Sequence, residues 1–347
     1  MKSQEFRLKT RFLRLPLAVS GLLMLFAFGC RADRTITDAE PTEEPASVVT
    51  VVLLSTPEPT AAPTPTASPL PTDTPEPTDT PNPLLREEWY IERTEQLRTQ
   101  MRTHGTLSEE ALEAKLRRME IDPSKPVIAL TFDDGPMPGV TDEIVKVLDQ
   151  YDARATFFTI GTRFSYDTTI PLLASELAIG CEIGNHTWSH DRIPDSDYAS
   201  VFNGARYLNK TVLESLGFEI KLLRPPGGYR DGKTSEICKR LGMAVALWAQ
   251  SGNVHEHDPE KIVENVHRQI VNGKELQPGD IVLLHDTKPW MVDAVKIMVP
   301  KLIDEGYQLV TVSELIGLSE RGFIPGEVYH KQDENIEIIV STPTPEP

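Results

Sequence analysis

Four short stretches of this 347-residue chain set ionisable side chains where an apolar run stops. KPVIALTFDDGP ends on two adjacent carboxylates, Asp133 and Asp134. CEIGNHTWSH carries His186 and, four residues on, His190. KLLRPPGG carries Arg224 ahead of Pro225, Pro226, Gly227 and Gly228. DIVLLHD ends on His285 and Asp286. Two imidazoles four apart lie on one side of a helical turn, a spacing that suits a metal ion. One carboxylate would complete a two-histidine, one-carboxylate set and leave positions open for water and substrate. The second carboxylate is then free to take a proton. An isolated HxxxH is a weak signal; the gathering of all these groups at the ends of apolar runs is the stronger one.

The elements that must position them are legible as an alternation. From 124 to 318, short apolar runs (VIALTF, ATFFTIG, CEIGNH, KLLRPP, MAVALWA, DIVLLHD, YQLVTV) are separated by helical patterns such as TDEIVKVLDQY and PEKIVENVHRQIV. Strand then helix, repeated six or seven times, predicts a parallel sheet covered by helices, able to close into a small (β/α) barrel. Such folds place their sites at the carboxyl ends of the strands, where the polar residues above fall.

TFDDGP, HTWSH, RPPGG and LLHD, in that order between residues 131 and 286, with ATFFTIG after the first helix, resemble the motifs of the polysaccharide deacetylase family (NodB homology domain, carbohydrate esterase family 4). The resemblance covers residues 124–318. It implies an α/β fold, a distorted (β/α) barrel of about seven parallel strands. It implies Asp134, His186 and His190 as metal ligands, Asp133 as catalytic base, Arg224 as the group orienting that base, and His285 as catalytic acid. Leu283 is implied in the acetyl pocket, the backbone N–H of Gly227 at the oxyanion, and Pro226 and Trp248 among the substrate-facing groups. The activity implied is metal-dependent removal of acetyl groups from N-acetylated amino sugars of a cell-envelope or extracellular polysaccharide, peptidoglycan-like or chitin-like. The cofactor implied is a divalent ion, zinc first, with cobalt or another divalent metal as alternatives. The same groups would serve an O-acetyl ester, as on xylan. A glycan-binding surface protein without turnover is the reading from a different class.

Two departures from the family pattern stand out. Gly227 replaces the usual aromatic after the two prolines, which keeps the N–H but removes a groove wall, with Tyr229 as a partial replacement. Ser251, aligned from Trp248, stands where an aspartate usually supports the acidic histidine; Val254 and His255 stand at a later Asp-Trp pair. Without that negative charge, and beside a cation, His285 is expected to have a lowered pKa and activity to peak further to the acid side. Glu256 and Asp258 are the nearby acids that could supply the charge. His255 and His257 read as polar loop residues.

The remainder divides by composition. Residues 1–14 are basic and 15–28 almost wholly apolar, too short for the about 20 residues of a membrane span, and Cys30 follows Gly29. This is the form of a signal peptide, and AFGC resembles a lipoprotein lipobox with Cys30 as the lipidated residue. An exported protein anchored to a membrane through an N-terminal lipid is expected. Residues 31–83 form a Pro/Thr-rich linker that cannot bury enough apolar surface to order itself, interrupted by SVVTVVLL at 47–54. Residues 84–123 carry two short helices, the second with Ser108 as N-cap, expected to pack on the following domain. Residues 319–347 are expected to be a loose tail. The formal charge of −17 argues against nucleic acid as a partner. Cys181 and Cys238 lack metal-site spacing and read as small buried residues.

Overall fold

The computed structural model of the chain describes residues 83–122, 124–269, 273–319 and 322–332. The expected signal peptide, Cys30 and most of the linker lie outside the described residues. Two helices, α1 (Pro83–His104) and α2 (Glu109–Arg118), precede an alternation of strands and helices. These are β1 (Val127–Asp133), α3 (Thr141–Gln150), β2 (Ala155–Thr159), α4 (Thr169–Ala178), β3 (Glu182–Asn185), α5 (Tyr198–Leu216), β4 (Leu222–Leu223), α6 (Gly232–Arg240), β5 (Ala244–Ala246), β6 (Gln250–Ser251), α7 (Pro259–His267), β7 (Ile281–His285), α8 (Pro289–Asp304), β8 (Gln308–Leu309), α9 (Val312–Gly317) and β9 (Val328–Tyr329). The sheet runs β6-β7-β1-β2-β3-β4-β5-β9, all parallel, with β8 paired to the start of β1. It is a curled, open barrel. An antiparallel bridge between Asp280 and Lys331 ties the chain after β9 back to the start of β7.

β1 shows why the barrel forms. Every residue from Val127 to Asp133 is buried, so both faces of the strand are covered. With a period of two, Ile128, Leu130 and Phe132 point outward into a core shared with α3 and α8. Val127 and Ala129 point inward and pack with Val312, Leu315 and Ile316 of α9, which plugs the lower end. Thr131 and Asp133 continue that inward face upward. One strand therefore turns from apolar to polar along its inner face, and the polar end is where the chemistry gathers.

α1 and α2 dock on the plugged end. Ser108 caps α2 by accepting from the Ala111 N–H. Gln100 Nε2 donates to the carbonyls of Leu177, at 3.0 Å, and Cys181, at 2.7 Å, and so clamps α1 to the far end of α4. Arg93 Nε stands 3.3 Å from Glu314 Oε1, whose other oxygen takes Arg154 Nε at 2.9 Å. The Trp89 ring packs against Gly317, where an added Cβ would come within 1.9 Å of it. Trp89→Ala is expected to cost about 2 kcal/mol, below the about 3–5 kcal/mol for losing a fully buried aromatic, because the ring is only half-buried. That corresponds to a fall in Tm of roughly 4–8 °C. Differential scanning calorimetry reads it, and a change below about 1 °C would contradict a load on this contact.

The stretch expected to be a loose tail, 319–347, departs from that expectation within its described part: Val328 and Tyr329 add β9 to the sheet beside β5. Two residues make no apolar run, so periodicity offered no sign of them. Tyr329 holds the segment by donating its hydroxyl to the Gly322 carbonyl. The last residues, 333–347, lie outside the described ones.

Candidate metal site

The upper rim of the barrel brings the predicted groups together. β1 and β7 are neighbours, and Asp133 pairs in register with His285. His186 follows β3, and Arg224 follows β4, two and three strands along from β1. Because the sheet curls, the Arg224 side chain crosses the interior to β1. Its Nη1 donates to Asp133 Oδ1 at 2.9 Å and to Thr131 Oγ1 at 2.6 Å. Nε and Nη2 donate to the carbonyls of Ala246, at 3.0 Å, and Leu247, at 2.9 Å. The guanidinium also lies 4.1 Å from the Phe158 ring centroid. That ring needs a glycine beneath it, since a Cβ on Gly184 would come within 2.4 Å of Phe158. Arg224 is fully buried, and burial lowers its pKa, opposed by Asp133.

Asp134 sits just past the strand in the left-handed region, φ 74°, as do Thr187 at 66° and His190 at 61°. Such backbone costs of order 1–3 kcal/mol per residue and persists where the surroundings impose it. The loop 186–190 is therefore not the helical turn expected from HxxxH. Asn185 reshapes it: its Oδ1 accepts from the Thr187 N–H at 2.8 Å, while its Nδ2 is held by Ala205 and Asn209 of α5. The result still aims both imidazoles at one carboxylate. His186 Nε2 is 3.4 Å and His190 Nε2 3.3 Å from Asp134 Oδ1.

These residues fit a divalent cation. Ligands about 2.0–2.1 Å from a tetrahedral zinc stand roughly 3.3–3.4 Å from one another. The ligand atoms of Asp134, His186 and His190 all lie within 4.8 Å of each other. Asp134 Oδ1 is buried and has no hydrogen-bond partner among the described residues. His186 Nδ1 is 2.8 Å from the Arg224 carbonyl, which can only accept, so Nδ1 carries the proton and Nε2 offers its lone pair. Burial favours the neutral acid at Asp134, yet His186, His285 and His190 together outweigh it and hold the carboxyl below its ordinary range.

The acid side is built differently from the expectation. His285 Nε2 is 4.0 Å from Asp134 Oδ2. Burial pushes its imidazole down, against the pull of Asp133 and Asp134. Ser251, opposite Leu283 in the β6–β7 pairing, accepts with its Oγ from the Asn253 N–H at 3.1 Å and makes no hydrogen bond to His285 among the described residues. Glu256 accepts from the N–H groups of His257 and Asp258, so it turns to its own loop. Gly227 adopts φ 62°, and a Cβ there would meet the Tyr229 ring at 2.8 Å, so Tyr229 occupies that side of the loop, under the Arg192 guanidinium at 3.8 Å. The Trp248 ring lies against Gly228. Pro226, the first residue of the same turn, is buried.

Sequence reasoning missed three supports. Thr131 shares Arg224 with Asp133. Arg163 Nε donates to the Asp134 carbonyl at 2.9 Å. Asp286 is fully buried, pushed up to about 7 by burial, and accepts from Thr141 Oγ1. Its carboxyl is packed against Gly135, where a Cβ would lie 2.1 Å from Oδ2. Asp286 thus backs the turn that presents Asp134. Its place beside His285 in LLHD was the available signal.

The chain matches the family model for polysaccharide deacetylase over residues 120–246. It is similar to the peptidoglycan-N-acetylmuramic acid deacetylase PdaC of Bacillus subtilis, 39% identical over 202 residues, covering 56% of this chain and 40% of that protein. The chain thus spans less than half of that relative's length. The solved structure of B. subtilis PdaC superposes with a TM-score of 0.51 at 35% identity, covering 56% of this chain and 92% of the other. A peptidoglycan-N-acetylglucosamine deacetylase of Bacillus cereus is 36% identical over 205 residues, 57% of this chain and 91% of that protein. A family 4 acetyl xylan esterase from Clostridium thermocellum, solved with a cobalt ion, superposes with a TM-score of 0.53 at 27% identity, covering 59% of this chain and 98% of that one.

Proposed function

Given that the chain belongs to the polysaccharide deacetylase family, we propose that its barrel removes acetyl groups from N-acetylated amino sugars of a cell-envelope polysaccharide of the peptidoglycan or chitin kind. The observation that carries this reading is the buried Oδ1 of Asp134, without a hydrogen-bond partner among the described residues, between two imidazole Nε2 atoms and beside a second carboxylate held by an arginine. A divalent cation on Asp134, His186 and His190, zinc first, would polarise the acetyl carbonyl and acidify a water. Asp133, fixed by Arg224, accepts the proton of the attacking water. The Gly227 N–H, which donates to no described acceptor, is the donor left for the oxyanion. His285 gives a proton to the departing amine, and acetate and a free amino sugar result. The relatives named as peptidoglycan deacetylases support the substrate class.

The likeness to an acetyl xylan esterase supports a second reading, since an O-acetyl ester needs the same base, acid and cation. Acetate release from peptidoglycan, N-acetylated chito-oligomers and acetylated xylan separates them. Release from the first two is expected. Release from xylan alone would move the assignment to esters, and release from none would favour a glycan-binding protein without turnover. Export and lipid attachment at Cys30 belong to the same proposal, supported by the basic and apolar stretches before that cysteine.

His285 must be protonated to act as the acid. Because burial lowers its pKa, the protonated fraction is lost at lower pH than for an ordinary histidine, about 6.5. The basic limb of the pH–rate profile is expected below pH 6.5, and a limb above about 7 would contradict this role.

A further inference from the structure

We infer that the cleft leading away from Asp134 is a second sugar subsite, in which the neighbouring ring of the glycan lies on Trp290 and His257. The inference rests on the reading of the site as one that acts on a glycan. The cleft, ≈ 450 Å³, begins at Asp134 and His285, passes Leu283, and ends between the loop after β6 and the start of α8. That volume lies in the range of pockets that enclose whole small molecules, well beyond an acetamide group.

Its far end is built as a platform. The rings of His257 and Trp290 are in contact, centroids 4.5 Å apart at 46°. Trp290 follows Pro289 at the first turn of the sixteen-residue α8 and packs partly on the outer core, so its ring is anchored from behind. Met291 below it is buried, and Val254 across the cleft is 57% exposed. Lys288, also lining the cleft, is exposed, and its ammonium makes no hydrogen bond or ion pair among the described residues. A pyranose with equatorial substituents turns its axial C–H bonds to its two faces, which makes those faces apolar and its edge polar. An aromatic pair with one ammonium at the border matches that shape: rings for the C–H face, Lys288 for a hydroxyl or carboxylate oxygen at the edge.

A clasp that merely holds the loop would stabilise the fold and affect all substrates alike. A subsite discriminates by chain length. The test measures calorimetric affinity and kcat/KM of the zinc-loaded protein for N-acetylglucosamine and for its β-1,4-linked tetramer, in the parent, Trp290→Ala and Trp290→Phe. Thermal melts establish that each variant is folded. In Trp290→Ala the advantage of the tetramer over the monomer is expected to shrink about tenfold, chiefly through KM, the factor for one lost aromatic contact, and Trp290→Phe is expected to restore most of it. An unchanged tetramer-to-monomer ratio, or no measurable tetramer binding by the parent, would overturn the subsite. Turnover with an unchanged ratio overturns the subsite and leaves the deacetylase reading standing. Tetramer binding that depends on Trp290 without any turnover supports the subsite and removes the deacetylase reading.

Discussion

Asp133→Asn is expected to lower acetate release about a thousandfold, within the range for removing a general base, while zinc affinity stays within about twofold. The prediction follows from the division between the two adjacent aspartates. Asp134 stands 3.3 and 3.4 Å from the two imidazole nitrogens. Asp133 stands 3.7 Å from His186 Nε2 and is bound instead to Arg224. An amide at 133 keeps an oxygen for Arg224 Nη1, so the architecture is retained and the proton acceptor is lost. Steady-state acetate release and calorimetric zinc titration on the same preparation read both halves. Turnover within tenfold of the parent would remove Asp133 as the base. A large loss of zinc affinity would place it among the ligands.

Arg224→Met is expected to be the most destabilising single substitution at the site. It would leave the 3%-exposed Asp133 carboxylate without its counter-charge, and the carbonyls of Ala246 and Leu247 without donors. Breaking a buried pair by removing one partner costs about 3–5 kcal/mol. Denaturant unfolding of the parent and the variant measures this. Because Asp133 is released from its orientation, turnover is expected to fall with stability, even at temperatures where the variant remains folded. A loss below about 1 kcal/mol would mean that water replaces the guanidinium, and the interior would then be wetter than the 0% exposure of Arg224 implies.

The parts of the site legible in the sequence were those carried by strand ends. An apolar run stopping on Asp133 or His285 signals position directly, because β1 and β7 are long and buried. Less legible was anything that depends on the curl of the sheet. Arg224 was expected to orient the base, but its shared bond to Thr131 arises only because β4 comes across from β1 in space. Asn185 and the left-handed residues at 187 and 190 replace a helical turn by a bent loop, which a four-residue spacing does not distinguish from a helix. β6 and β9, two residues each, are held by pairing with neighbours rather than by any pattern of their own. Ser251 shows the same limit: its place where the family pattern usually has an aspartate was readable, its bond to the Asn253 N–H was not.

The central claim is that Asp134, His186 and His190 form one cation site on which acetate release depends. The direct measurement strips the protein with chelator, confirms removal by elemental analysis, and follows acetate release from N-acetylated chito-oligomers as zinc is returned. The account predicts negligible release from stripped protein, and recovery that saturates at one equivalent of zinc and is abolished in His186→Ala. Full release from metal-free protein, or recovery undiminished in His186→Ala, would contradict it.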